Sequence, residues 1–321
     1  MNTSLPGADA TAWSSLWART RQGSIDLTAV NPVSDTLRGH WEAQLPWLVE
    51  CRHAADIGSG PAILPMLLRQ LALGRLDGLT WECIDEASLP VEPVAPTIHL
   101  RGETDFASST PLRGAVQALV SNFGLEYVAR QDVAAASARW LAPGGRLCAV
   151  VHRRDSLIDR TSIQSLDDLS VVLDELSLFE RADGVLRAMA TLPDDPAARA
   201  THASDVRAAY NAAVDDLKQR MTDRGSRSAV WIDILTALTQ LARLAGSGQS
   251  ALARERALAM VADYAAERTR LQAMRASACT ADDLAALVAG LQAVGLQTSP
   301  TQDLTCSLGM IGSVLTAQRP R

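Results

Sequence analysis

The stretch "HAADIGSGPAILPMLLRQL", residues 53–71, joins an apolar run to an amphipathic one through two glycines and a proline. The residues before the glycines predict a buried strand, and those after Pro61 predict a helix. Gly58 and Gly60 permit backbone angles and a close ligand approach that a Cβ atom would prevent. Pro61 suits the first helical turn, where its missing N–H leaves no bond unmade, although Pro65 indicates that regular helix starts only near it. The stretch therefore predicts a strand, a tight turn and a helix.

A turn of this kind presents unpaired helix N–H groups at the carboxyl edge of a sheet, where open α/β folds bind their ligands. A nicotinamide-dinucleotide turn requires G-x-G-x-x-G, but Ile63 stands where the third glycine would be, which counts against NAD. Asp56 lies two residues before the first glycine, and its carboxylate could accept hydrogen bonds from a cationic group of a ligand. The turn predicts a site for a small polar ligand.

Short apolar runs and helical stretches alternate on both sides of this turn. The apolar runs are residues 54–57, 79–84, 97–100, 116–120 and 147–151. Strands that alternate with helices indicate parallel crossover units and an open α/β sheet. The alternation returns after residue 279, where Thr280 and Asp283 suit a capping box and Gly295 suits a helix end. Two last strands are expected within 297–306 and 311–320.

Helical spacing without strands marks two other parts of the chain. The N-terminal segment, residues 1–50, predicts two helices, one with Trp13, Leu16 and Trp17 on a single face. Residues 155–278 predict a helical insertion after the fifth strand, and residues 51–154 with 279–321 form the sheet domain. We expect the insertion, together with the N-terminal helices, to cover the substrate, or else to form a dimerisation surface.

Composition excludes several classes of protein. The chain has 321 residues, 47% of them hydrophobic, which is enough for a substantial core. Its net charge of −6 argues against a nucleic-acid partner, which would need a cationic surface. No apolar run is long enough to span a membrane and no signal peptide is evident, so we expect a cytoplasmic protein with no membrane partner. The five scattered cysteines and five histidines lack metal-ligand spacing, and no metal is expected.

The glycine turn "AADIGSGPA" (54–62) resembles the first motif of class I S-adenosylmethionine-dependent methyltransferases. Stretches similar to the later motifs follow in order: "WECIDEAS" (81–88), "IHLRGETDFAS" (98–108), "AVQALVSNFGLEYV" (115–128) and "WLAPGGRLCAVVH" (140–152). The resemblance covers roughly residues 40–152 and, more faintly, 280–318. It implies an α/β fold with an open, mostly parallel Rossmann-like methyltransferase sheet, N-terminal helices and a large helical insertion.

The resemblance also implies a cofactor site for S-adenosyl-L-methionine and its product S-adenosyl-L-homocysteine. Its residues would be Asp56, Gly58, Ser59, Gly60, Asp85, Glu86, Glu103, Thr104, Ser121, Asn122 and Phe123. Asp85 matches the acid that holds the ribose hydroxyls, with Glu82 as the alternative because the spacing to Asp85 is long. Asp56 and Asp85 are both expected at a solvent-reachable cleft. The chain departs from the family pattern at Ala62, where a glycine is usual, and at Gln117, where an aspartate is common.

The implied activity is methyl transfer to a small organic acceptor. The expected acceptor atom is oxygen, and nitrogen and carbon are the alternatives. Because the donor sulfonium is already activated, holding the reactants in line is the main requirement, and such positioning contributes about 7–11 kcal/mol. A hydroxyl acceptor would also need a base, and the candidates are His152 after the fifth strand and Glu126 or Tyr127 after the fourth. A homodimer is left open.

Two other functions remain from the sequence. The departures at Ala62 and Gln117, and the lack of a firm base, are compatible with a non-catalytic protein of the same fold that binds S-adenosylmethionine or S-adenosylhomocysteine as a partner or regulator. The second alternative, ranked below it, is a nicotinamide-dependent oxidoreductase.

Overall fold

A computed structural model describes residues 6–20, 26–90, 94–191, 201–202, 204–224 and 228–321 of the chain. The chain divides into two compact units. The sheet unit comprises residues 1–161 and 273–321, and the helical unit comprises residues 162–272. The N-terminal helices therefore belong to the same unit as the sheet.

An eight-stranded sheet forms the centre of the sheet unit. Its strands are β1 (His53–Ile57), β2 (Thr80–Ile84), β3 (Ile98–Arg101), β4 (Val116–Asn122), β5 (Leu141–His152), β6 (Gln297–Thr298), β7 (Gln302–Cys306) and β8 (Gly309–Gln318). They lie in the order β3-β2-β1-β4-β5-β8-β6, with β7 also paired to β8. Strands β1 to β5 are parallel and β8 is antiparallel to β5. The predicted open, mostly parallel Rossmann-like sheet is confirmed, and the strand order reverses between β1 and β4.

Helices of the sheet unit cover the two faces of this sheet. They are α1 (Pro6–Trp17), α2 (Pro32–Glu42), α3 (Leu45–Leu48), α4 (Ile63–Ala72), α5 (Arg130–Trp140) and α11 (Ala281–Ala293). Neighbouring residues on one strand point to opposite faces, so Ala54 and Ala55 of β1 enter different cores. The first core includes Trp41 of α2, and the second includes Trp140 of α5. Both indole side chains are fully buried, and each contributes several kcal/mol through the apolar area that it removes from water.

The helical unit has a core of its own. Its helices are α7 (Leu178–Ala190), α8 (Ser204–Asp223) and α9 (Ala229–Gly246), with parts of α6 (Leu157–Ser170) and α10 (Ser250–Ser277), which continue into the sheet unit. Leu217, Trp231 and Leu238 are buried there, as the helical spacing predicts. The buried carboxylate of Asp168 accepts hydrogen bonds from Arg224 (2.7 Å) and Ser228 (2.7 Å), which satisfies its charge.

Three local features differ from, or sharpen, the expectations. Helix α4 begins at Ile63, so Pro61 lies in the turn rather than in the first helical turn. The ladder between β4 and β5 shifts after the Val116–Leu141 pair, so β5 begins at Leu141, before the predicted run 147–151, and residues 142–145 form an irregularity within it. The capping box of Thr280 and Asp283 at the start of α11 is confirmed. None of the helices in the described ranges combines the length with the apolar character that a membrane span requires.

Candidate functional site

The turn after β1 contains three residues in the left-handed backbone region. Gly58 has φ +63°, Gly60 has φ +51° and Ala62 has φ +65°. Glycine adopts these angles without steric cost, whereas an L-residue with a Cβ atom loses about 1–2 kcal/mol. Ala62, which stands where the methyltransferase motif that this turn resembles has a glycine, is fully buried, so packing compensates for this strain. The turn places exposed Gly58 at the carboxyl end of β1.

This turn packs against the loop after β4. A Cβ atom on Gly58 would lie 2.6 Å from Cα of Gly124, and one on Gly124 would lie 2.4 Å from the carbonyl oxygen of Ile57. The buried Ser121 hydroxyl donates to that Ile57 oxygen (2.8 Å) and accepts from the Gly124 N–H (3.2 Å). The two loops thus meet at the point where the strand order reverses, which is the usual ligand position in open α/β sheets.

Asp85, at the end of β2, fixes the other side of the turn. Its carboxylate accepts hydrogen bonds from the N–H groups of Gly60 (2.8 Å) and Ala87 (2.9 Å). Ser59 N–H donates to the carbonyl oxygen of Ile84, which ties the turn to the end of β2. Burial raises the pKa of Asp85 to about 6 against the lowering effect of these bonds. Each carboxylate oxygen retains a lone pair that could accept a further hydrogen bond.

The turn after β3 joins the same edge. Thr104 N–H donates to the carbonyl oxygen of Asp85 (3.0 Å), and Glu103 N–H donates to that of Ala87 (3.1 Å). The side chain of Glu103 is exposed, as is that of Glu86. The structure therefore brings the residues predicted on the ribose and adenine sides together beside the glycine turn.

Asp56 lies inside the sheet, so the expectation that it is solvent-reachable is wrong. It is 1% exposed, because β1 is central and its neighbours at this level are Cys83 of β2 and Val120 of β4. Its Oδ2 atom has no hydrogen-bond partner in the described parts of the chain. Burial, and then the nearby charge of Asp85, raise the pKa of Asp56 well above its ordinary value. Asp56 is therefore a buried, protonatable acid behind the turn.

Glu82 is committed elsewhere, which removes it as the alternative to Asp85. Its carboxylate forms an ion pair with Arg101 (2.9 Å) and accepts hydrogen bonds from the N–H groups of Leu112 (3.0 Å) and Arg113 (3.3 Å). A buried carboxylate with this many donors is a structural anchor for the loop before β4.

Helix α1 covers the glycine turn. A Cβ atom on Gly60 would lie 3.0 Å from Cζ2 of Trp17, so the indole ring rests directly on the turn. Trp13 stacks on Trp17 with ring centroids 5.5 Å apart and meets Tyr127 edge-on at 6.0 Å. The Ser14 hydroxyl accepts a hydrogen bond from Ser88 N–H (2.8 Å). Helical spacing predicts Trp13 and Trp17 on one helix face, and in the structure Trp17 of that face lies on the glycine turn.

The predicted bases His152 and Glu126 are buried together at the ends of β5 and β4. The His152 ring stacks on Phe123, with centroids 4.3 Å apart, and burial lowers the pKa of His152 to about 3. Oε1 of Glu126 accepts the His152 backbone N–H (2.7 Å) and lies 4.0 Å from the imidazole Nε2. An imidazole with so low a pKa is a weak base, so this geometry favours packing, and a base role for His152, Glu126 or Tyr127 stays a prediction. Asn122 accepts a hydrogen bond from the Trp41 indole N–H (2.9 Å).

Glu126 should make stability depend on pH. Burial raises its pKa from 4.5 to about 7, so the folded chain holds a proton that the unfolded chain releases. The resulting stabilisation is fully present below about pH 4.5 and is lost as the pH rises through about 7. Glu126→Gln mimics the protonated acid. The free energy of unfolding of this variant, relative to wild type, should therefore increase by about 2–3 kcal/mol between about pH 5 and pH 8.

Denaturant unfolding at several pH values measures this difference. Glu42→Gln is the matched control, because Glu42 is exposed at the end of α2. A constant difference between Glu126→Gln and wild type over the whole pH range would show that Glu126 ionises normally in the folded chain.

Comparison with known proteins gives structural matches only. No protein-family model matches this sequence, and no curated protein matches it. A complex of the Haloferax volcanii Trm112 methyltransferase activator with a methyltransferase is 17% identical over 44% of this chain and 60% of that chain, with a TM-score of 0.30. This chain thus spans about three fifths of that protein.

Two further solved structures match nearly the whole length of the chain. A Rhodobacter sphaeroides protein described as a zinc-dependent alcohol dehydrogenase is 14% identical over 98% of both chains, with a TM-score of 0.44. The plantazolicin methyltransferase BpumL, in complex with S-adenosylhomocysteine, is 6% identical over 98% of this chain and 96% of its own, with a TM-score of 0.44. All three TM-scores are below 0.5, and the fold rests on this chain's own sheet, which is open, mostly parallel and Rossmann-like. In the described ranges, no cluster of three or more His, Cys, Asp or Glu side chains could hold a metal ion.

Proposed function

We propose that this chain binds S-adenosylmethionine at the carboxyl ends of β1 and β2 and transfers its methyl group to a small organic acceptor. One observation carries the proposal: the carboxylate of Asp85 meets the Gly60 N–H of the left-handed turn after β1 at 2.8 Å. This arrangement joins an acid that can accept hydrogen bonds from ribose hydroxyls to the turn at the carboxyl end of the central strand β1, where open α/β sheets bind their ligands.

The residues at this edge fit the separate parts of such a ligand. The free lone pairs of Asp85 would accept hydrogen bonds from the ribose hydroxyls, and the turn of the exposed Glu103 and the half-buried Thr104 would border the adenine. Oδ2 of Asp56, buried behind the turn and without a partner among the described residues, would accept a hydrogen bond from the ammonium group. When bound, S-adenosylmethionine would supply an activated methyl group on its positively charged sulfur.

The chain's own contribution would be alignment rather than acid–base chemistry. Holding an acceptor in line with the methyl group contributes about 7–11 kcal/mol, and water exclusion by the indoles of α1 would support it. For an oxygen acceptor, which we favour, the hydroxyl proton must also leave. Neither His152 nor Glu126 is open to solvent, so Tyr127, at the edge of the cover beside Trp13, is the candidate that lies beside the site in this conformation.

The burial of His152 and Glu126 also favours a second candidate function. A protein that binds the same cofactor without transferring its methyl group, and acts as a partner or regulator, would need the turn and Asp85 but no base. The helical unit would then serve as an interaction surface or homodimer contact rather than as an acceptor-selecting element.

Transfer of a labelled methyl group separates these two functions. Wild-type protein is incubated with S-adenosylmethionine labelled on the methyl carbon and with a set of small phenols, alcohols, amines and carboxylic acids. We expect label in at least one acceptor, identified by mass spectrometry, and none with Asp85→Ala. Cofactor binding without labelling of any compound would favour the non-catalytic protein.

A further inference from the structure

Trp17 carries a hydrogen-bond donor that nothing in the described chain uses. The side chain lies on the glycine turn and the residue is 7% exposed. Its indole Nε1 is buried and has no hydrogen-bond partner among the described residues. The ring atoms nearest to a Cβ position on Gly60 include Cε2 (3.2 Å), which is bonded to Nε1, so the donor itself lies beside the turn.

The unpaired Trp17 N–H lies beside the proposed ligand site, so it says more about ligand binding than an unpaired donor inside a core would. Leaving a buried N–H without an acceptor costs about 1–3 kcal/mol, so it is expected to have a partner in some state of the protein. Helix α1 keeps Trp17 in position through the Trp13 stack and the bond between Ser14 and Ser88, so the ring is not simply loose on the surface.

The chemistry of the surrounding groups indicates which acceptor is missing. The unpartnered oxygen of Asp56 and the carboxylate oxygens of Asp85 are acceptors and would bind the donor groups of a ligand, its ammonium and hydroxyls. The indole N–H is a donor only and would bind an acceptor group. A ligand that presents an ammonium and a carboxylate side by side, as the amino-acid end of an adenosyl ligand does, would satisfy both kinds of group.

We propose that Trp17 is a ligand-binding residue whose indole N–H donates a hydrogen bond to the carboxylate of the amino-acid end of the bound ligand. This inference rests on the proposed function and deepens it, because it makes α1 part of the cofactor site. It assigns Trp17 a role in distinguishing ligands with an amino-acid end from other adenosyl compounds.

The test compares two ligands that differ only in that end. S-Adenosylhomocysteine carries the amino acid, whereas 5′-methylthioadenosine has the same adenosine thioether without it. Trp17→Phe removes the N–H and keeps an aromatic ring on the turn. We expect this variant to bind S-adenosylhomocysteine about tenfold more weakly than wild type, and to bind 5′-methylthioadenosine with unchanged affinity.

Trp81→Phe is the matched control. The Trp81 indole Nε1 on β2 is likewise buried without a partner, but it lies in the core that contains Trp41. Its replacement should change the affinities for the two ligands by the same factor, so that the discrimination between them stays as in wild type.

Each remaining outcome overturns the proposal. Unchanged affinity of Trp17→Phe for S-adenosylhomocysteine would show that the N–H is not used. An equal loss for both ligands would show that Trp17 acts only through ring packing. Wild-type protein that binds 5′-methylthioadenosine more tightly than S-adenosylhomocysteine would exclude carboxylate recognition. Wild-type protein that binds neither ligand would overturn the proposed function, and this inference with it.

Discussion

Gly124→Ala should destabilise the chain by about 3 kcal/mol and disrupt ligand binding with it. The added Cβ atom would lie 2.4 Å from the Ile57 carbonyl oxygen and 2.7 Å from Cα of Gly58. Both neighbours are backbone atoms, so no side-chain rotation relieves the clash. The turn after β1 must separate from the loop after β4, and the hydrogen bonds of Ser121 that join them would lengthen or break. Denaturant unfolding followed by circular dichroism measures the loss.

Gly39→Ala is the control for this substitution. Gly39 lies within α2, where a Cβ atom would meet nothing within 4 Å, so alanine should be neutral or stabilise the helix by up to about 1 kcal/mol. Equal stability of Gly124→Ala and wild type would mean that the two loops do not approach as closely as described.

Asp85→Ala should weaken binding of S-adenosylhomocysteine about a hundredfold. The substitution removes the oxygens that would accept the ribose hydroxyls, and hydrogen bonds to a charged group contribute about 1.5–3 kcal/mol each. It also releases the Gly60 N–H and so loosens the turn itself. Asp85→Asn retains an acceptor for that N–H and should lose less affinity. Calorimetric titration of the three proteins gives the comparison.

Asp77→Ala controls for the loss of a negative charge near the same strand. Asp77 is exposed, and its ion pair with Arg69 (2.9 Å) is of the surface kind that contributes at most about 1 kcal/mol to stability. Wild-type affinity in Asp85→Ala, with the fold intact, would remove Asp85 from the site.

Local patterns in the sequence were sufficient to predict the five parallel strands, but residues 297–306, where one strand was expected, form two, β6 and β7. Each of the five parallel strands is a short apolar run, and Gly58 and Gly60 mark where the first must turn. The capping box before α11 is also local, because Thr280 and Asp283 satisfy each other's backbone N–H groups within one turn. Such features depend on residues that are neighbours in the chain.

The details of the site depend on contacts that are distant in the chain. Gln117 accepts the Arg52 N–H (2.6 Å) across 65 residues, which explains how the chain accommodates it in place of an aspartate. Glu82 and Asp85 belong to one stretch of sequence, and their roles are separated only by distant partners, Arg101 and the Leu112 N–H for Glu82 and the Gly60 N–H for Asp85. The burial of Asp56 follows from the central place of β1, and the cover formed by α1 follows from packing, so periodicity predicts neither.

Titration calorimetry of wild-type protein with S-adenosylhomocysteine, and separately with NAD, tests the central claim most directly. The account predicts one S-adenosylhomocysteine bound per chain and no heat of binding with NAD, because Ile63 stands where a dinucleotide-binding turn requires its third glycine. Binding of NAD with no binding of S-adenosylhomocysteine would contradict it.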